Sequence, residues 1–229
     1  MFCYFAFFRN APGAALPPDE APLRQLLQQL RGLDGVDRAL VHHAAAQARH
    51  PFPDDEEPPA LALQLYAADL APLEQVVAPE GELQALLLRG FARDLQLVQQ
   101  QVMVVRPFPA QPHAPQGSAA SYLVHYPGRA ENLAAWLDYY LAHHPQIMRG
   151  FPGIREIEIY TRVDWIGGLP GPRVDHMQRN KLVFDDVEAL GAGLTSPVIQ
   201  TMRADYQQFP PFSGGNVHYA MHTLQAGSA

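Results

Sequence analysis

The chain has 229 residues, and 16 basic against 23 acidic side chains give a formal net charge of −7. At 48% hydrophobic and 17% charged it has the composition of a globular protein and not of a disordered one, and its length suits one large domain or two small ones. The acidic balance offers no electrostatic footprint for nucleic acid or an anionic membrane. A single cysteine, Cys3, excludes an intrachain disulfide and a cysteine-cluster metal site.

Residues 2–9 are a short aromatic run that reads as a buried strand. The run falls far short of the roughly 18 residues of a membrane helix. No basic residues precede it, as they would in a signal peptide, so a cytoplasmic protein is expected. Asp19 and Glu20 open a helix with Leu23, Leu26, Leu27 and Leu30 on one face, ended by Gly32 and Gly35. Residues 36–45 form a second strand. Residues 60–67 form a third, in which Leu61, Leu63 and Leu65 alternate with smaller or polar residues, as expected for a strand with one face buried. Residues 70–91 are helical with a break at Pro79–Gly81, and the valine-rich segment 95–106 is a strand. Proline-rich runs at 11–22, 51–59 and 107–115 read as connections. The last places a linker (110–120) between two units, residues 1–109 and 121–229.

The same order then returns. Residues 122–126 are a strand, and 131–144 an amphipathic helix carrying Leu133, Trp136, Leu137, Tyr140 and Leu141 on one stripe. Strands follow at 154–165 and 177–184, then a helix at 187–209 broken at Ser196-Pro197, then the strand Val217–Leu224. Leu33-Asp34-Gly35-Val36 parallels Phe151-Pro152-Gly153-Ile154 at a separation of 118 positions, and 65–73 parallels 182–190 at 117. Near-constant separations in one element order indicate an internal duplication. Two β-α-β-β-α-β units are two ferredoxin-like folds of α+β class, each leaving one sheet face open. Packing the open faces together predicts an intrachain, pseudo-dimeric α+β barrel enclosing a cavity.

Six of the ten histidines lie in the second unit, which directs proton-transfer chemistry there. His144 continues the apolar stripe of its helix, and Pro145 predicts a helix break at that point. A histidine at such a break is a candidate general acid/base facing the cavity; the competing reading is a helix C-cap. His143, about 100° around the helix, falls on its flank, and the counterpart of His144 in the first unit is Leu26. Tyr126, at a strand end, is a candidate to orient a substrate. His218 and His222 share one face of the last strand, with Tyr219 and Met221 on the other; at about 13 Å apart the two histidines do not form a metal pair. No His-x-His or His-Glu-x-x-His spacing occurs, so no metal is expected. Glycine-rich nucleotide fingerprints and Gly-x-Ser-x-Gly are also missing.

Five stretches of the second unit are Tyr126-Pro127; Tyr139-Tyr140-Leu141-Ala142-His143-His144-Pro145; Phe151-Pro152-Gly153; Phe184-Asp185-Asp186-Val187-Glu188-Ala189-Leu190 with Ser196-Pro197; and Ala204-Asp205 with Phe209. In order and spacing they resemble the EthD family of dimeric α+β barrel proteins, with the proline one place earlier than in the family's His-x-Pro segment. The first unit looks like a diverged copy. The wider superfamily includes isomerases, cyclases and dehydratases, cofactor-free monooxygenases and haem-binding proteins, so the resemblance implies a fold more sharply than a chemistry.

The expected function is a cofactor-independent acid/base enzyme of isomerase or lyase (dehydratase) class. It would act on an apolar cyclic or aromatic carbonyl compound in the barrel cavity. In this reading His144 and Tyr126 are catalytic, and Trp136, Tyr140, His218 and His222 contact the substrate. The alternative is a non-catalytic, EthD-like small-molecule-binding or accessory protein of a degradation pathway. The expected partner is a small apolar molecule, with no organic cofactor, nucleic acid or membrane, in a monomer or homodimer.

Overall fold

A computed structural model describes residues 1–13, 19–45, 58–110 and 118–225. Most of the connection at 51–59 and of the linker at 110–120 therefore lies outside the described residues. The first half runs β1 (Phe2–Asn10), α1 (Ala21–Arg31), β2 (Arg38–Ala44), β3 (Leu61–Ala67), α2 (Leu70–Val76), α3 (Glu82–Leu87) and β4 (Leu95–Phe108). The second runs β5 (Ser118–Tyr126), α4 (Leu133–Met148), β6 (Glu156–Arg162), β7 (Gln178–Phe184), α5 (Val187–Thr195), α6 (Val198–Tyr206) and β8 (Val217–Leu224). The segment read as a connection from residue 107 begins later, because Pro107 and Phe108 still pair with Glu158 and Ile157.

Local sequence explains the elements. On α1, Leu23, Leu26, Leu27 and Leu30 are buried with Pro22 in the first turn, where a missing N–H is tolerated. The predicted break at Pro79–Gly81 separates α2 from α3. The matched turns before β2 and β6 each end in a glycine with positive φ, Gly35 at 83° and Gly153 at 76°, a conformation that disfavours a Cβ. At Gly35 a Cβ would also stand 2.7 Å from the Pro72 side chain.

The strands close into one barrel in the order β1-β3-β2-β8-β5-β7-β6-β4. Each half supplies four neighbouring strands, and the pairing registers repeat. Phe2 opposite Ala67 becomes Ala120 opposite Phe184, and Arg38 opposite Tyr66 becomes Glu156 opposite Val183. Two seams join the halves through antiparallel hydrogen bonds, β2 with β8 and β4 with β6. The predicted fold class is therefore observed, with the sheet edges bonded as well as the open faces opposed. Helices cover the outside. Because both faces of every sheet are covered, β3 is buried at all seven positions and not on one face alone.

The interior of the barrel is filled, which corrects the expectation of a ligand cavity there. Eight strands leave a bore that side chains can fill. Phe5, Phe7, Tyr66, Tyr160 and Tyr219 do so around a polar network. The Lys181 ammonium, fully buried, lies 2.8 Å from carboxylate oxygens of both Glu156 and Glu158. Glu158 also accepts the Tyr66 and Tyr160 hydroxyls at 2.7 and 2.5 Å. Arg38 meets Glu156 at 3.0 Å, and the two residues are 118 positions apart, at equivalent places in the two halves. Gln64 donates to Tyr160 and faces His42, which reaches Thr223.

Two outcomes follow. Lys181→Met strands Glu158 among tyrosines without its main cation and should lower stability by about 3–5 kcal/mol. In urea unfolding, Lys181→Met with Glu158→Leu should recover much of that loss. Burial alone would raise the Glu156 carboxyl, but Lys181 and Arg38 hold it well below its ordinary value. Its contribution is thus complete above the unfolded value of about 4.3 and is lost as the pH falls toward the folded one. Urea midpoints measured from pH 6 down to pH 2 should fall more steeply in the wild type than in Glu156→Gln.

Candidate functional site

Helix α4 begins at Asn132, whose side chain accepts the Ala135 N–H at 3.1 Å. Trp136, Tyr140, His144 and Met148 recur every four residues and are all buried, so one stripe faces the sheet. The predicted break at Pro145 does not occur; α4 runs on to Met148. A proline inside a helix costs about 3 kcal/mol. Here Pro145 and Met148 are both buried, and that packing offsets the lost hydrogen bond. His144 consequently sits a full turn before the helix end and is not its C-cap.

A cavity of about 270 Å³ lies between α4–α6 and the outward faces of β5, β7 and β8, near the lower end for small-molecule pockets. Its walls are largely apolar: Val124 and Leu182 from the sheet, with Leu194, Ile199 and Met202 from α5 and α6. Its polar groups include His144, Tyr126, Asn180, Asn216 and His218. The pocket thus belongs to the helix layer of the second half and not to the barrel bore.

His144 is 4% exposed, and its Nδ1 lies 2.6 Å from Asp205 Oδ2. Asp205, on α6, also accepts the Tyr139 hydroxyl at 3.0 Å through its other oxygen. Burial pulls the His144 imidazole below its ordinary value, and Asp205 pulls the other way. Burial would raise the Asp205 carboxyl, but hydrogen bonds from His144 and Tyr139 keep it below its usual range. At neutral pH the pair is therefore a neutral imidazole donating Nδ1–H to a carboxylate. With Nδ1 committed, Nε2 is the nitrogen left for a ligand in the cavity. The rings of Tyr140 and Phe209 pack against the imidazole at centroid distances of 4.8 and 4.9 Å, which fixes its orientation.

The other expected site residues divide. Tyr126 lines the cavity, and burial pushes its phenol far above the ordinary value, so it stays protonated. Trp136 and Tyr140 stand behind Tyr126 as a stacked pair, centroids 4.9 Å apart, and support the wall instead of lining it. On β8 the outward set is His218 and His222, and Tyr219 and Met221 point into the barrel. His218 lines the cavity, stacked on Tyr122. His222 does not: it lies at the β2–β8 seam, stacked on His43 at 4.9 Å.

Two residues of the site were given no role from the sequence, although Asp205 stands in one of the EthD-like stretches. Asp205 continues the apolar spacing of Ile199 and Met202 on α6, and an acid at such a position was the available signal. Asn180 occupies an outward position of β7 beside Leu182. It is 1% exposed and donates Nδ2–H to the Tyr140 hydroxyl at 2.7 Å, while its Oδ1 has no hydrogen-bond partner. The first half lacks this set. Leu63, opposite Ala6, matches Asn180, opposite Val124, and Leu26 is buried at the His144 counterpart. Among the described residues no group of three or more His, Cys, Asp or Glu is placed to hold a metal ion.

No family model matches the chain, and a search of curated proteins finds no match. Solved structures do match along nearly the whole length. Chlorite dismutase from Candidatus Nitrospira defluvii (R173A mutant) is 12% identical at a TM-score of 0.56, with 96% of this chain and 90% of that chain covered. An anthrone oxidase-like protein is 12% identical at 0.54, with 99% and 94% covered. The dye-decolorizing protein from V. cholerae is 14% identical at 0.50, with 98% and 93% covered. The likeness is one of fold alone. No helix among the described residues is long and apolar enough to cross a membrane.

The dyad makes a direct expectation. Followed by NMR, the His144 imidazole should titrate below 6.5. In Asp205→Asn, which removes the groups pulling it upward, the midpoint should fall further.

Proposed function

We propose that the protein is a small-molecule enzyme that moves a proton at an apolar, cyclic or aromatic carbonyl compound held between the sheet and α4–α6. The observation that carries this reading is the His144–Asp205 contact of 2.6 Å at the wall of an apolar cavity. A neutral imidazole whose Nδ1–H is held by a buried carboxylate presents a basic Nε2, and the carboxylate stabilises the imidazolium once a proton is taken. In this scheme Nε2 removes a proton from the carbon beside the carbonyl. The resulting enolate accepts from the Tyr126 hydroxyl, and in the enol form its O–H donates to the unpartnered Asn180 Oδ1. His144 then returns the proton to another carbon, giving an isomerase, or to a departing group, giving a lyase.

The shared fold supports a pocket of this kind without choosing the reaction. The EthD-like stretches of the second half agree with the reading in one specific respect, since His144, Asp205 and Phe209 all come from them and meet at the cavity.

Deuterium exchange into a panel of cyclic and aromatic ketones, followed by NMR in D₂O, tests the proposal. The wild type should accelerate exchange beside the carbonyl for at least one ketone, and His144→Ala should slow it by roughly 10²–10⁴-fold. Asp205→Asn should lower it strongly with binding retained. Ketones that perturb Tyr126 and Met202 resonances yet exchange no faster than in buffer would replace this reading with that of a binding protein.

A further inference from the structure

The cavity of the second half carries one polar atom that the protein itself leaves unanswered. Asn180 lines the cavity from β7 and is 1% exposed. Its Nδ2–H goes to the Tyr140 hydroxyl at 2.7 Å, and Tyr140 stands behind the wall without lining the cavity. Oδ1 is therefore the atom that Asn180 has left for the cavity, and it has no hydrogen-bond partner. The first half places Leu63 at the same station, so the fold does not require an amide there.

The chemistry of that atom narrows what the cavity can hold. An amide oxygen only accepts. A ketone oxygen also only accepts, so a ketone set against Oδ1 leaves it without a donor, whereas a hydroxyl supplies one. A buried acceptor away from water discriminates sharply between ligands with and without that proton. Size narrows the choice further. An apolar cavity of about 150 Å³ takes one benzene ring. At about 270 Å³, this one takes about ten to twelve non-hydrogen atoms at the same filling, which is two fused rings with a substituent. The walls, Val124 and Leu182 from the sheet with Ile199 and Met202 from α6, are apolar and suit uncharged rings.

We propose that the cavity takes a neutral two-ring phenol or stable enol whose hydroxyl donates to Asn180 Oδ1, and that Asn180 sets this preference. The carbonyl partner of such a ligand rests on the function proposed above, whereas the binding preference itself needs no turnover. In that scheme Tyr126 donates to the ligand oxygen, so a hydroxyl is satisfied in both directions and leaves neither Tyr126 nor Asn180 unpaired. A ketone answers Tyr126 alone. A phenol is an enol held in that form by aromaticity. The cyclic carbonyl compounds of the proposed reaction therefore narrow to two-ring ketones whose enol is a phenol or persists by conjugation.

Naphthol, its methyl ether, naphthalene and phenol are the probes, with binding to the intact protein at neutral pH followed by calorimetry and by NMR of the Leu182 and Met202 methyls. Naphthol should bind about tenfold more tightly than naphthalene or the methyl ether, which lack the donor. It should exceed phenol, which lacks the second ring, by about tenfold or more, and it should shift both methyls. Asn180→Leu copies the first half and should bind naphthol no more tightly than naphthalene. The wild-type series is decisive whether or not that variant folds. Naphthalene or the methyl ether matching naphthol in the wild type overturns the proposal. So does a preference that survives in Asn180→Leu, phenol binding as tightly as naphthol, or shifts confined to residues outside the cavity. A naphthol preference in a protein that speeds no deuterium exchange supports this ligand class and overturns the acid/base function. Faster exchange with no such preference does the opposite.

Discussion

The barrel stands on charges that each half can bury only with the help of the other. Glu158 on β6 is bonded by Tyr66 from the first half and by Lys181 and Tyr160 from its own. Gln64 on β3 crosses to Tyr160, and Arg38 on β2 crosses to Glu156. An isolated half would expose these groups on a broad sheet face together with two unpaired edges. Closing the barrel satisfies the groups and removes the edges in one step. The seams and the network are therefore one constraint, and the placement of everything outside the sheet rests on it.

That constraint also explains where a ligand can go. A bore of eight strands, filled by five aromatic rings and a buried ion network, has no space for an organic molecule, so the space lies in the helix layer. There the sheet supplies one rigid wall through Val124, Asn180 and Leu182. The helices supply the other, with His144 on α4 braced by Asp205 on α6. The dyad thus bridges two helices over a fixed floor, an arrangement that holds a catalytic ring in place.

Much of this was legible in the residues. Periodicity and turn signals gave the strands and helices in order. The matched glycines at 35 and 153, both at positive φ, were visible as a repeat before any fold was known. The sheet-facing position of His144 was legible because an amphipathic stripe says which way a helical side chain points, whereas the strand end at Tyr126 left its face open. The face of β8 was not legible either, since a strand covered on both sides carries no one-sided pattern. The Pro145 break failed because a local backbone preference was weighed without the burial that overrides it. Asp205 and Asn180 were missed for a related reason. Each is a polar residue in an apolar series, and its meaning depends on a partner 61 positions away for Asp205 and 40 for Asn180. The location of the cavity depended on side-chain volumes within the bore, which element order does not carry.

The Arg38–Glu156 pair reaches beyond stability. The two residues hold the same station in the two copies, yet one is positive and the other negative. In a homodimer of single units a gene can write only one letter at that station, so the axis would bring together two arginines or two glutamates. Joining the copies in one polypeptide lifts that rule. It permits opposite signs to meet across the pseudo-twofold, and it lets one copy fill its helix layer with leucine while the other hollows out a chamber.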